Sequence, residues 1–350
     1  MKGRIFFENQ SFSFADFATI TLPKNLDWAL NTQLFVNNWL NGQDSFELNT
    51  SGSTGQPKTI QIQKSQMLAS ALATIDFLKI KQGSTALLCM NPDMIGGRMM
   101  LVRAMVGDWN LHVVKPSSTP IIHRDIDFAA MVPLQVETLF GSENGQDFLN
   151  RIDKLIIGGA GISETLINKI HTLNTRAYQT FGMTETVSHI ALRNINGANK
   201  AEDYQLIGDN EIKVDPDGRL SIKGTVTNGQ WIKTNDLVEK TSSGFIWLGR
   251  ADLTVNTGGI KVQIEDLERE LSNHFNTKIW VWKETDVRLG ESLVGMTENM
   301  QLISQIESDY PLLKNKFKKY HLPKKWVLIK NWHQTPSGKP DRSKTLNSNR

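Results

Sequence analysis

Between about residues 60 and 190, apolar positions recur in two alternating patterns. Met67, Leu68, Ala71, Leu72, Ile75 and Leu78 fall at steps of three and four, which predicts a helix. Ala86 to Met90 then forms a short apolar run, which predicts a buried strand. The pair repeats: Met100, Leu101, Ala104 and Met105 precede Leu111 to Val114, and Ile126 to Val132 precedes a helical face of Val136, Leu139 and Phe140. Leu155 to Ile157 run into Gly158-Gly159, followed by a helix carrying Leu166, Ile167 and Ile170. Such alternation predicts an α/β fold with a mainly parallel sheet, whose ligands bind beyond the carboxyl ends of the strands.

After about residue 205 the texture changes. Ile212 to Val214 and Leu220 to Ile222 flank the turn Asp215-Pro216-Asp217-Gly218, predicting a small β-rich subdomain over about 205–250. From 251 a third texture begins: Ile264, Leu267, Leu271 and Phe275 on one helix face, a strand at Trp280 to Trp282, and Leu313, Phe317 and Tyr320 on a Lys-rich helix. The division expected is a large N-terminal domain, 1–250, and a smaller α+β lobe, 251–350, with only Leu346 to Arg350 disordered.

Composition narrows the class without naming a chemistry. The 350 residues carry 39 Lys+Arg against 36 Asp+Glu, a net charge of +3, with 39% hydrophobic and 21% charged residues, as in ordinary globular proteins. A single cysteine, Cys89, excludes a disulfide framework, and the seven histidines lack metal-site spacing. No signal peptide or spanning segment is evident, so the expected location is cytoplasmic, with no membrane insertion. The lysines between 314 and 325 have no interleaved stacking aromatics, and no nucleic-acid partner is expected.

Four segments carry candidate chemistry. Thr50-Ser51-Gly52-Ser53-Thr54-Gly55-Gln56-Pro57-Lys58 holds four hydroxyls, two glycines and a lysine, suited to wrapping a polyphosphate and equally readable as a flexible linker. It is not a Walker A loop, because Gln56 and Pro57 separate the second glycine from the lysine. Phe181-Gly182-Met183-Thr184-Glu185 offers a carboxylate for Mg²⁺ beside phosphate oxygens, or simply an acid at a helix start. Asp236 can accept from ribose hydroxyls, although it, Gly249-Arg250-Ala251-Asp252 and Gly258-Gly259 also suit turns between strands. Ser337-Gly338-Lys339 presents a late lysine, either for a phosphate or as part of a solvated basic tail.

In this order and at these intervals, the segments resemble the adenylate-forming enzymes, a family of acyl- and aryl-CoA ligases, adenylation domains and luciferases. The likeness covers residues 48–345. It implies that a carboxylate attacks the α-phosphate of ATP to give an acyl-adenylate, and that coenzyme A then displaces AMP. By the family pattern, residues 50–58 hold the β- and γ-phosphates, Thr184 meets the α-phosphate, and Glu185 binds Mg²⁺. Gly158, Gly159, Ala160, Phe181 and Gly182 enclose adenine, Asp236 and Arg250 hold ribose, and Lys339 is the catalytic lysine. Asp252 marks a hinge, and Gly258-Gly259 faces the site in the thioester-forming posture.

Three departures stand out: Asn235 for a glycine, a position where a positive φ is tolerated; Phe181 for a tyrosine; and only 49 residues before the phosphate loop. The last implies a more open acyl pocket, or one completed by a partner chain, with a homodimer one assembly to test. Within the family, the short format and the helix Ile95 to Ala104 most resemble o-succinylbenzoate–CoA ligases of menaquinone biosynthesis. Arg103 is then the partner of the substrate's second carboxylate, Arg98 its alternate one turn away, and Ser188 and His189 line the acyl pocket. Against this stand another aryl- or acyl-acid ligase and a non-catalytic nucleotide-binding module.

Overall fold

The computed structural model describes residues 2–7, 10–49, 59–334 and 341–350. Among them, thirteen strands form one hydrogen-bonded sheet. Its centre is parallel, in the order Arg176–Gly182, Ile152–Ile157, Ile126–Met131, Thr85–Leu88, Asn110–Val113, Arg4–Phe7. Successive side chains go to opposite faces, as the two-residue period of a strand requires. Ala86, Leu88, Phe128, Ala130 and Ile156 enter one core, while Leu87, Cys89, Ala129, Met131, Leu155 and Ile157 enter another. Burial on both faces explains why these strands read as unbroken apolar runs.

The helices predicted from periodicity are present: Lys64–Leu78, Ile95–Val106, Pro133–Phe140 and Glu164–Ile170. The first two pack against the core that contains Met67, Ala71, Met99 and Val102. The mixed α/β class is that expected.

Several details differ. The β-rich stretch is continuous with the large sheet: His189–Asn194 pairs antiparallel with Arg176–Gly182 and, through Tyr204–Leu206 and Gly244–Arg250, leads out to Glu211–Val214 at the edge. Turn chemistry reveals hairpins but not which outer edge they extend. Asn235 lies within the strand Ile232–Lys240 and is not among the residues with positive φ. At the other edge the N-terminal residues contribute Arg4–Phe7 and Gln10–Ser13, backed by the helices Phe14–Thr19 and Leu30–Leu40.

Beyond the short 3₁₀ turn Ala251–Leu253, a second sheet begins at Thr254, with its own core of Val255, Ile264, Leu267, Leu271, Val281 and Leu293. The helix Met300–Leu313 stops before the expected Phe317 and Tyr320, yet Phe317 still reaches this core through the turns that follow. The C-terminal residues are ordered as the helix Arg342–Ser348. Leu346 packs with Val294, Met296 and Ile329, and the Asn349 side chain accepts from the N–H groups of Lys330 and Asn331. A single buried leucine among polar residues is too weak a pattern to announce such docking.

Candidate active site

Three segments meet at the carboxyl edge of the parallel strands. Ile152–Ile157 ends at Gly158, Arg176–Gly182 leads into the 3₁₀ turn Thr184–Thr186, and Thr85–Leu88 leads toward the helix Ile95–Val106. Gly158 is fixed by proximity: a Cβ there would lie 1.9 Å from Thr180 Oγ1 on the adjoining strand. Gly159 has φ +83°, in the region that favours glycine. Gly158 to Ala160 therefore run beside the end of the strand carrying Phe181. The Phe181 ring itself packs edge-on against Phe245 and Tyr204, with centroids at 4.9 and 5.7 Å.

The turn after Gly182 is tight. A Cβ on Gly182 would lie 2.2 Å from the Ser188 carbonyl oxygen. Val187, fully buried, has φ 66° and ψ −57°, and the Ser188 N–H donates to the Thr186 carbonyl at 2.7 Å, making a γ-turn. Positive φ on a β-branched residue stores strain of about 1–3 kcal/mol, sustained by the packing around it. The turn leaves Glu185 exposed, without a hydrogen bond or ion pair to another described residue. It sends Ser188 and His189 the other way, into the protein.

There they meet Arg103. Its side chain is only 1% exposed and forms no ion pair among the described residues. Nε donates to Thr74 Oγ1 at 3.3 Å and Nη2 to Ser188 Oγ at 3.1 Å. His189 bridges the same two hydroxyls, Nε2 at 3.0 Å from Thr74 Oγ1 and Nδ1 at 3.4 Å from Ser188 Oγ. Burial pushes the Arg103 guanidinium down to about 9. Burial first, and the Arg103 charge second, hold His189 well below its ordinary value. A desolvated cation without a counter-ion is costly, and an entering carboxylate would relieve that cost.

Arg98 does not share this place. Five residues advance a helix by about 500°, so Arg98 and Arg103 point about 140° apart rather than along one face. Arg98 donates to the carbonyls of Pro92 and Glu47 and sits over the Phe35 ring, on the wall of a cleft of about 510 Å³ that also includes Asn31, Asn38 and Gln61. Thr74 had no signal in the sequence; a threonine in a helix is unremarkable until its neighbours are known.

Asp236 and Arg250 face each other across paired strands. Trp247 Nε1 donates to Asp236 Oδ1 at 2.9 Å, while Arg250 makes a two-bond fork with Asp252 at 2.9 and 2.8 Å. The Arg250–Asp252 pair thus straps the junction between the two sheets. Gly258 and Gly259, both at positive φ, form the two-residue turn joining Thr254–Thr257 to Ile260–Gln263, a hairpin role independent of any ligand.

Thr50, Ser51, Gly52, Ser53, Thr54, Gly55, Lys58 and Lys339 lie outside the described residues. Their flanks are described: Asn49 pairs with Thr59, and the Asp341 N–H donates to the His333 carbonyl at 2.9 Å. Among the described residues no group of three or more His, Cys, Asp or Glu is placed to hold a metal. The exposed, unpaired Glu185 suits an ion that draws most of its ligands from phosphate oxygens and water.

The sequence profile of AMP-binding enzymes matches residues 41–230, more than half of the 350-residue chain. The chain belongs to the AMP-binding enzyme family. An acyl-CoA synthetase (AMP-forming)/AMP-acid ligase II-like protein of Dyadobacter fermentans shares 36% identity at a TM-score of 0.66, covering 95% of this chain and 97% of that one. The 2-succinylbenzoate–CoA ligase of Staphylococcus epidermidis is 24% identical over 332 residues, covering 84% of this chain and 68% of that protein. The o-succinylbenzoate coenzyme A synthetase of Bacillus subtilis, solved with ATP and magnesium, gives a TM-score of 0.70 at 20% identity over 86% of this chain and 69% of that one, a likeness of fold. No helix of the described residues is long and apolar enough to cross a membrane.

Proposed function

We propose that this AMP-binding enzyme is an acid–CoA ligase that activates 2-succinylbenzoate, a step of menaquinone biosynthesis. The observation that carries the substrate choice is Arg103, a buried guanidinium with no acidic partner among the described residues, flanked by Ser188 and His189. A dicarboxylic acid supplies one carboxylate to react and a second to neutralise Arg103, whose planar fork matches it. The curated relatives named above point the same way.

In the first half-reaction a substrate carboxylate oxygen bonds to the α-phosphorus of ATP and pyrophosphate leaves. In the second, the coenzyme A sulfur bonds to the acyl carbon, AMP leaves, and the thiol proton passes to solvent. Glu185 would hold Mg²⁺, which supplies charge neutralisation at the phosphates. Residues 50–58 and Thr184 would bind the triphosphate, Gly158 to Ala160 with Phe181 and Gly182 the adenine edge, and Asp236 and Arg250 the ribose. Lys339 would meet the charge that builds in the transition state, where losing one such donor costs about 10²–10³-fold. The 251–350 lobe would pivot at Asp252 between the two half-reactions, bringing Gly258-Gly259 to the site in the second.

The test is carboxylate-dependent ATP–pyrophosphate exchange with 2-succinylbenzoate, benzoate and fatty acids. 2-Succinylbenzoate should be preferred, and Arg103→Met should lower its kcat/KM by about 10²-fold. Preference for a monocarboxylate refutes the substrate, and exchange unchanged in Lys339→Ala refutes the lysine's role.

A further inference from the structure

The contacts around Arg103 bear on where its neighbours' protons sit as well as on its location. Thr74 Oγ1 donates its single proton to the Ser70 carbonyl at 3.0 Å, so toward Arg103 Nε and His189 Nε2 it is an acceptor. Opposite that acceptor, the matching tautomer of His189 carries its proton on Nε2 and leaves Nδ1 to accept from Ser188 Oγ–H. Ser188 Oγ in turn accepts from Arg103 Nη2. The opposite tautomer would draw the Thr74 proton away from the Ser70 carbonyl.

We propose that Thr74 is a positioning residue: with the Nε2–H tautomer of His189 it closes a ring of hydrogen bonds that fixes the Arg103 guanidinium and leaves its remaining N–H groups for the acid's second carboxylate. The inference deepens the proposed function and rests on it for the identity of the acid. Geometry supports it independently of that identity. Thr74, Arg103 and His189 are all at most 5% exposed, and they come from a helix, a second helix and a strand that only the fold brings together. One turn before Thr74, Ser70 Oγ is buried without a partner among the described residues, so the same helix face presents another hydroxyl at this place. Without the Thr74 hydroxyl, Arg103 Nε and His189 Nε2 would both lose their acceptor, and the guanidinium would be free to turn about its long side chain.

Thr74→Val keeps the shape and removes the hydroxyl; Thr74→Ser restores it. With the preferred acid, Thr74→Val should raise the KM for that acid at least tenfold while leaving the KM for ATP within twofold, and Thr74→Ser should recover most of the loss. A loss of folded enzyme would lower the apparent kcat and leave both KM values in place. Unchanged KM for the acid, or failure of Thr74→Ser to rescue, overturns the positioning role. Nitrogen-15 NMR of the imidazoles, which needs no substrate, checks the ring itself. The Nε2–H tautomer of His189 should dominate in the wild type and lose its preference in Thr74→Val; an Nδ1–H tautomer in the wild type overturns the ring. A protein that ignores 2-succinylbenzoate yet shows the expected tautomer and a Thr74-dependent KM for another acid would refute the substrate while leaving the ring standing.

Discussion

His189 illustrates how a single side chain couples a site to stability. Burial and the neighbouring Arg103 keep its ring neutral below the usual 6.5. Between that value and its lowered native one, the unfolded chain binds a proton that the native state does not. Stability is therefore full above pH 6.5 and falls as the pH drops, by about 1.4 kcal/mol per unit while the ring stays neutral. His112, held down to about 4 by burial and then by Arg124, acts in the same direction. Denaturant titrations between pH 7 and 5 should show the summed slope of the two rings, and His189→Asn should reduce it to the part that His112 contributes; an unaltered slope would mean that the His189 ring is protonated in the native protein. Cys89 contrasts with these two: burial pushes its thiol up to about 12, so it stays a thiol and serves as core.

At the scale of elements, the decisive piece is the turn between Arg176–Gly182 and His189–Asn194. It must face outward at Glu185 and inward at Ser188, and it does so by the γ-turn at Val187 and by the contact of Gly182 with the Ser188 carbonyl. Gly182→Ala would push a methyl into backbone rather than into a pliable side chain. The expected cost is about 1–3 kcal/mol, read as a lowered Tm, with a larger fractional loss of acid-dependent exchange than of stability at the assay temperature. Full activity in this variant would show that the turn has slack. The sequence marked this segment through its spacing of Gly182, Thr184 and Glu185. The resemblance points to Ser188 and His189 as pocket-lining, but a two-residue reversal has no period from which to read the face that each side chain takes. Arg98 departs from its expected place for the opposite reason: the helix is legible, but an interval of five residues exceeds one turn by about 140° and carries the side chain off the Arg103 face.

At the scale of the whole molecule, the ion pairs among the described residues that join the two sheets' territories are few. Arg250 and Asp252 strap the junction at 2.8 Å, and Arg269 reaches Glu164 at 3.8 Å across the gap between lobes. Both partners of the second pair are substantially exposed, a setting in which ion pairs contribute about 0–1 kcal/mol. Arg269→Ala should leave Tm within about 1–2 °C, while raising the salt concentration should leave the ratio of the two half-reaction rates nearly constant. A large drop in Tm would mean that the lobe is locked by this contact rather than free to pivot. Inside the lobe the opposite holds: Arg342 forks onto buried Glu268 at 2.8 and 2.7 Å, anchoring the chain immediately after residues 335–340.

Local patterns determined the alternation of helices and strands, the two-sided burial of the parallel strands, the hairpin glycines and the order of the candidate nucleotide-binding segments, because each depends on residues close together in the chain. Only the tertiary structure decided that the outer hairpins extend the same sheet, that Leu346 docks, and that Thr74, Arg103, Ser188 and His189 share one buried ring. Those outcomes depend on which surfaces exclude water against each other, and no interval in the sequence records the distance between residues 74 and 189.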